Sequence, residues 1–187
     1  MIEALNFNLQ HTLNDLQILI QQCAANNRRS QEKLYLEFYP ALFLLCKKFF
    51  ADDHEALGAL NDGMLKVFKN ISAYNSGKGD FFNWLYTVVR NTALDKLKLY
   101  QHPPPIELND ALYNKNDNPL KGFEWKDIYT MLDILPPATR AVCSLFYLEG
   151  FSIKEITEKL NISSGTVKWH LNETRHKLKP VFKKYYS

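Results

Sequence analysis

From Gln101 to Gly122 the chain reads QHPPPIELNDALYNKNDNPLKG, with three consecutive prolines and no apolar period. Proline fixes φ and lacks an N–H, so no helix runs through this stretch. Apolar residues recur at helical spacing on both sides of it. A segment this long with no periodicity of its own is uncommon inside one compact domain. It reads as a flexible linker, stiff at its proline end. The chain then divides into a domain over 1–100, a linker over 101–123 and a domain over 124–187. A length of 187 residues suits two small domains. Only seven glycines and little β-branched alternation make the fold class all-α.

In the first half, residues 13–28 carry an apolar stripe of Leu13, Leu16, Ile20 and Cys23 that fades in ANNRR. A second helix covers Gln31 to Phe50, with Leu34, Phe38, Leu42, Leu45 and Phe49 on one face. Pro40 inside it either kinks or splits that helix. Asp52 or Asp53 caps a third helix that runs to about Asn70 and buries Leu57, Leu60, Met64, Val67 and Phe68. After the turn-rich loop SAYNSGKGD, Asp80 caps a long helix whose inner stripe is Phe81, Leu85, Val88, Thr92 and Leu99.

In the second half, one helix stops at Pro136-Pro137 and the next at Gly150. Ser152 and Glu155 form a capping box for a helix that buries Ile156 and Leu160. Ile162 points to the core, and Ser163 caps the last helix. Val167, Leu171, Thr174 and Leu178 lie on its inner face. Two short helices with this turn and this skeleton match a helix-turn-helix. At about 100° per residue from Val167, the residues Lys168, Trp169, Asn172, Glu173 and His176 face outward, toward a major groove. Lys168 and Arg175 suit phosphate or guanine, and Asn172 suits adenine. Glu173 either accepts from a cytosine amino group or pairs with Lys177 four residues on. Trp169 either packs on a thymine methyl or sugar, or against a neighbouring helix. Ser164 and Thr166 at the helix start complete the candidate DNA-facing set.

Net charge is +3, made of +5 on residues 151–187 and −2 on the rest, which points to a polyanion partner at that end or to a solvated lysine tail. Cys23, Cys46 and Cys143 are scattered in apolar patterns and read as buried free thiols of a reducing compartment. No histidine has a partner at ligand spacing, so no metal or other cofactor is expected. MIEALNFNLQ lacks a basic, apolar leader pattern, and YPALFLLCKKFF is too short to span a bilayer. A cytoplasmic protein without membrane insertion is the expectation. NSGKGD lacks P-loop spacing, and no G-x-S-x-G or H-E-x-x-H occurs, so catalytic residues and enzyme activity are not expected.

In YNSGKGDFFNWLYTVVRNTALDKLK the aromatics Phe81, Phe82, Trp84 and Tyr86 interleave with Lys78, Arg90, Lys96 and Lys98. Rings that stack on bases beside cations that follow phosphates fit a single-stranded nucleic acid. An ordinary helix core with a solvated basic face is the competing reading.

These segments together resemble the extracytoplasmic-function group of bacterial RNA polymerase sigma factors, in the sigma-70 family. Phe81, Trp84, Leu85, Arg90, Asn91 and Asp95 occupy the family's F-x-x-W-L-x-x-x-x-R-N-x-x-x-D pattern. LPPATRAVCSLFYLEGFSIKEITEKLNISSGTVKWHL is similar to its second domain. The resemblance implies two small helical domains, the second a helix-turn-helix, that bring core RNA polymerase to a promoter. The first domain would engage the β′ clamp and melt the −10 element. A flipped base would sit by the 75–80 loop, and Asn75, Lys78, Phe81, Trp84, Arg90, Asn91, Lys96 and Lys98 would contact DNA. The second domain would read the −35 element, and the β subunit and an anti-sigma protein are further partners the resemblance allows. Leu57 and Gly58 stand where the family has acids, and Asn61 where it has glutamine. Asn61, Asp62 and Lys66 are therefore the candidate polymerase contacts. Trp169-His170 and Glu173-Thr174-Arg175 also depart from the family's S-R and R-A-R, which implies an unusual −35 sequence. A LuxR-type regulator shares TVKxHL, but would need a sensing domain that residues 1–100 do not pattern.

Overall fold

The computed structural model describes residues 14–98 and 118–185, which are helical throughout their regular structure, with no strand among them. Most of the proposed linker, the expected stripe residues Leu13 and Leu99, and His11 and His102 lie outside the described residues. Helix α1 spans 14–24, α2 Arg28–Lys47, α3 Asp53–Asn70 and α4 Phe81–Lys98. In the second half, α5 spans Trp125–Asp133, α6 Pro137–Cys143, α7 Ile153–Leu160 and α8 Ser164–Tyr185.

Local chemistry sets the ends. Asn26 takes φ 59°, a left-handed conformation that asparagine tolerates, and the first helix ends just past Cys23, short of the expected residue 28. Asn27 then caps α2 by accepting from the Ser30 N–H at 3.1 Å. Pro40 is held within an unbroken α2. Of the two candidate caps for α3 it is Asp52 that accepts, from the Glu55 N–H at 2.9 Å. Asp80 accepts from the Phe82 N–H at 2.7 Å at the start of α4. The capping box of α7 is complete, with Ser152 Oγ accepting from the Glu155 N–H at 3.2 Å and Glu155 from the Ser152 N–H at 2.7 Å.

Helices α2, α3 and α4 share the first core. The α3–α4 contact is so close that a Cβ on Gly63 would lie 3.0 Å from the Val89 Cα. That approach turns α4 so that Val89 is fully buried and Val88 only half-buried, a shift of one position from the expected stripe. Leu57 and Phe68 are also only half-buried, while Ala56, Ala59 and Gly63 are buried on α3. A Cβ on Gly58 would meet only the Lys96 Nζ, at 3.0 Å, the movable end of a long side chain, so packing does not require glycine there.

In the second half, α6 and α8 pack over Val142, Leu145, Val167, Leu171, Thr174 and Leu178, all fully buried. Helix α6 passes into a π-helical turn at Ser144–Leu148, and the chain then reverses at Gly150 with φ 73°. Arg140 is buried because its Nε donates to the Leu132 carbonyl at 2.8 Å and its guanidinium binds Asp133, satisfying the end of α5. Residues 118–123, expected as linker, pack on this half. Asn118 Nδ2 donates to the Tyr147 carbonyl at 2.9 Å, Leu120 is buried, and Phe123 lies 5.6 Å from Phe182. All three cysteines are free and buried, and burial pushes the Cys46 and Cys143 thiols up to about 12. No described helix is long and apolar enough to cross a membrane.

Candidate nucleic-acid interface

The loop between α3 and α4 folds as two short 3-10 turns, Ile71–Ala73 and Ser76–Lys78. Asn75 Oδ1 accepts from the Gly77 N–H at 2.8 Å, and the Tyr74 hydroxyl donates to the Gly79 carbonyl at 3.1 Å. These bonds hold open a cavity of about 420 Å³ against α4. Its wall includes Asn75, Lys78, Asp80, Asn83 and Trp84. The Trp84 ring is half-buried, 5.8 Å from both Tyr74 and Phe81, which fixes its plane at the rim. An aromatic wall beside exposed amide, carboxylate and ammonium groups matches an unstacked base.

Three of the candidate −10 residues are engaged within the protein. Phe81 is a core residue, 2% exposed, wedged between Phe38, Tyr74 and Trp84, so it offers DNA no surface. Lys96 is tied to Asp62 at 3.0 Å. Arg90 is turned away from solvent onto the second half of the chain. Of Lys98 only the backbone is described. Asn91 is exposed on α4, and Lys78 is exposed at the cavity.

The candidate polymerase contacts form a row on α3. Asn61 accepts from the Tyr35 hydroxyl at 2.9 Å, Asp62 holds Lys96, and Lys66 lies 3.6 Å from Asp95. All three are exposed, so their bonds are of the surface kind that a partner can exchange.

On α8, Asn172, Glu173, Arg175, His176 and Lys179 line one open depression of about 420 Å³. Ser164, Asn172 and His176 are exposed, and Lys168 and Trp169 are half-exposed. Thr166 is a correction, because it is buried and its hydroxyl lies 2.9 Å from Ser163 Oγ within the helix start. Arg175 is half-buried and donates from Nε to the Tyr147 hydroxyl at 3.1 Å, so its fork is partly committed inside the domain. Glu173 pairs with Lys177 at 3.3 Å. Trp169 meets the His170 ring edge-on at 4.8 Å. His170 itself points inward, with Nδ1 3.0 Å from Thr139 Oγ1, and burial lowers its pKa to about 4. No cluster of metal-ligating side chains occurs among the described residues.

The comparisons with known proteins also divide the chain into two parts. The family profile for Sigma-70 region 2 matches residues 34–101, and that for Sigma-70, region 4 matches residues 125–178. The chain belongs to the sigma-70 family. It is similar to the RNA polymerase sigma-H factor of Pseudomonas aeruginosa, at 23% identity over 173 residues, covering 85% of this chain and 89% of that one. It is also similar to the ECF RNA polymerase sigma factor SigM of Bacillus subtilis, at 24% identity over 157 residues, covering 81% and 94%. Such relatives place this sigma factor in the extracytoplasmic-function group. The sigma factor RpoE of Bartonella quintana, solved in complex with the anti-sigma factor NepR, aligns with 81% of this chain and 96% of its own. The identity is 18% and the TM-score 0.46.

One cluster in this sigma factor was missed by sequence reasoning. Glu149, just past the π-helical turn, reaches across to the first domain. Its carboxylate accepts from Lys48 Nζ at 2.7 Å, from the Tyr86 hydroxyl at 2.7 Å and from Arg90 at 3.5 Å. Burial alone would raise its pKa, but the bonds from Lys48 and Tyr86 and the two cationic charges hold it below the ordinary value. The Tyr86 hydroxyl is pushed up, first by burial and then by its bond to Glu149. Around this centre, Ser144 Oγ donates to the Lys48 carbonyl at 2.6 Å and the Tyr129 hydroxyl to the Leu44 carbonyl at 3.0 Å. The Arg90 guanidinium lies 4.9 Å from the Phe151 ring, and Lys48 Nζ 5.3 Å from Trp125. A signal was present in the sequence. An anion at the C-terminal end of a helical run opposes the helix dipole and so needs cations from elsewhere.

Proposed function

We propose that this sigma factor brings core RNA polymerase to its promoters and starts transcription there. The observation that carries the reading is the pairing, on one chain and in this order, of the region 2 and region 4 matches with a base-sized cavity and an outward helix-turn-helix face. The cavity walled by Asn75, Lys78, Asn83 and Trp84 receives a flipped −10 base. Asn91 and Lys78 stand where the separated strand would pass. Ser164, Lys168, Trp169, Asn172 and His176 face the −35 duplex. Asn61, Asp62 and Lys66, with the exposed Leu65 beside them, form the patch for the β′ clamp, and the second domain meets the β subunit. We assign the chain to the cytoplasm, give it no catalytic activity, and count an anti-sigma protein among its partners. We favour a first domain over 1–100 and a second that begins by Asn118 and not at 124, since Asn118, Leu120 and Phe123 pack on it.

The test is run-off transcription with purified core polymerase on a library of randomised −35 and −10 elements. Enrichment of one bipartite element is the expected result. A chain that never joins core, or starts no promoter-specific transcript, sinks the reading. A LuxR-type regulator would instead bind duplex DNA without core and leave the −10 positions random.

A further inference from the structure

We infer that Glu149 latches the two domains into a closed conformation that withholds Arg90 from nucleic acid, and that this latch must open before α4 engages a promoter. The inference rests on the proposed function only for what Arg90 does once it is released. The latch itself is read from the seam.

Three features make the seam a latch and not a permanent core. It is polar at its centre. The side chains of Glu149, Lys48 and Arg90 are only 7%, 12% and 16% exposed, so charged groups have been taken out of water to build it. A buried ion pair of this kind adds little net stability, while loss of one partner leaves an uncompensated charge and is strongly disfavoured. The seam therefore closes weakly but responds sharply to whatever competes for its charges. Interfaces between domains of one chain behave in general like transient ones.

It is also short of negative charge. One carboxylate faces two cations, and Arg90 Nε is buried with no hydrogen-bond partner. Lys159 adds a third cation at the edge, its Nζ 4.9 Å from the Phe151 ring that Arg90 also covers. A phosphate backbone offers Arg90 two acceptor oxygens in place of the single 3.5 Å contact that Glu149 gives it.

Finally, the occluded group is the arginine of the segment that carries the cavity. Arg90 and Trp84 lie on one helix, six residues apart. In the closed form the cavity is open to solvent, while the arginine about 9 Å further along its helix and about a third of a turn round from Trp84 is occupied by the other domain. Single-strand binding is then incomplete until the seam parts.

The experiment uses the full chain with a fluorescent dye pair on Glu32→Cys and Lys154→Cys, two exposed positions on opposite sides of the seam. The three native thiols are buried. The expected result for the free protein is one high-transfer population. Glu149→Gln should lower the closed-to-open ratio about tenfold or more, and Lys48→Met should act in the same direction with Arg90 intact. Binding of a random 30-nucleotide single strand should tighten with Glu149→Gln. It should not tighten to that degree with Glu158→Gln, which removes the same charge from an exposed site on α7. Unchanged transfer in both seam variants overturns the latch. So does equal tightening by Glu158→Gln, or a loss of helix content by circular dichroism in Glu149→Gln, which would make Glu149 a folding residue. Energy transfer is read without polymerase. A latch that opens in a chain inactive in run-off transcription would refute the proposed function and keep the latch. The reverse result would do the opposite.

Discussion

The two helices assigned to DNA differ in how they present their polar groups. On α8, Ser164, Asn172 and His176 stand in solvent, and the depression that Asn172 and His176 border is made by one helix face. On α4, Arg90 is bound to Glu149 and Lys96 to Asp62, and the surface left for DNA is the Trp84 rim with Lys78 and Asn91. Helix α8 presents a face that needs little rearrangement to meet a duplex. Helix α4 is one whose described cations are engaged within the molecule. A groove-reading face works when its side chains project freely, whereas a strand-separating helix that exposed all its cations would hold any polyanion.

The sharpest way to break this comparison is Phe81→Ala. As a core residue, Phe81 should cost about 3–5 kcal/mol of first-domain stability on truncation, while Phe81→Leu keeps both fold and transcription. Denaturant melting read against run-off activity checks this. A stable Phe81→Ala chain defective only in DNA binding would return Phe81 to the interface.

The second domain has a pH dependence of its own. His170 is held neutral by burial, with a pKa lowered to about 4. The unfolded chain takes up that proton near the usual histidine value of ~6.5, and the folded one does not until about pH 4. Stability from this group is therefore complete above ~6.5 and is lost as pH falls through that window. After allowance for solvent at the ring edge, the expected loss is on the order of 2 kcal/mol. His170→Gln should flatten the dependence in thermal melts between those two pH values.

Two further variants separate the helices by function. Trp84→Ala should cost about 1–3 kcal/mol of single-strand binding and weaken promoter melting in permanganate footprints, with duplex binding by the second domain kept. Asn172→Ala should relax preference at one −35 position by about 1–3 kcal/mol and leave melting on a pre-opened template intact. Normal melting with Trp84→Ala, or an unaltered −35 preference with Asn172→Ala, would remove the distinction between the helices. The smallest expected effect is that of Glu173→Ala. With its carboxylate paired to Lys177, it should change stability by only ~0.2–0.5 kcal/mol and leave base preference as it was. A relaxed preference at one position would show that Glu173 leaves Lys177 for a base.

Legibility followed the range of the interaction. The Asp52, Asp80 and Ser152 caps and the α8 inner face are settled within three or four residues, and each was readable. The one-residue rotation of α4, with Val89 buried in place of Val88, was not, because it depends on how closely Gly63 lets α3 approach. The cavity was readable as a place, the 75–80 loop, but not as a shape, since its wall needs Tyr74 and Trp84 brought together by Phe81. Thr166 was misplaced although its partner Ser163 is only three residues away, because helix start and groove compete for the same hydroxyl. Arg175 keeps its place on the outward depression, but its bond to Tyr147 on the π-helical segment comes from an element that a helical wheel does not show.

The sequence by itself determined the all-α class, the order of the two domains, most helix ends and the family, because hydrophobic period, capping and motif spacing are local properties of the chain. Only the tertiary structure decided which charges are free. Glu149 lies 101 residues from Lys48 and 59 from Arg90, with no periodic relation to either. A carboxylate's cost of leaving water is offset by whichever cations the fold carries to it, and that choice is made in space.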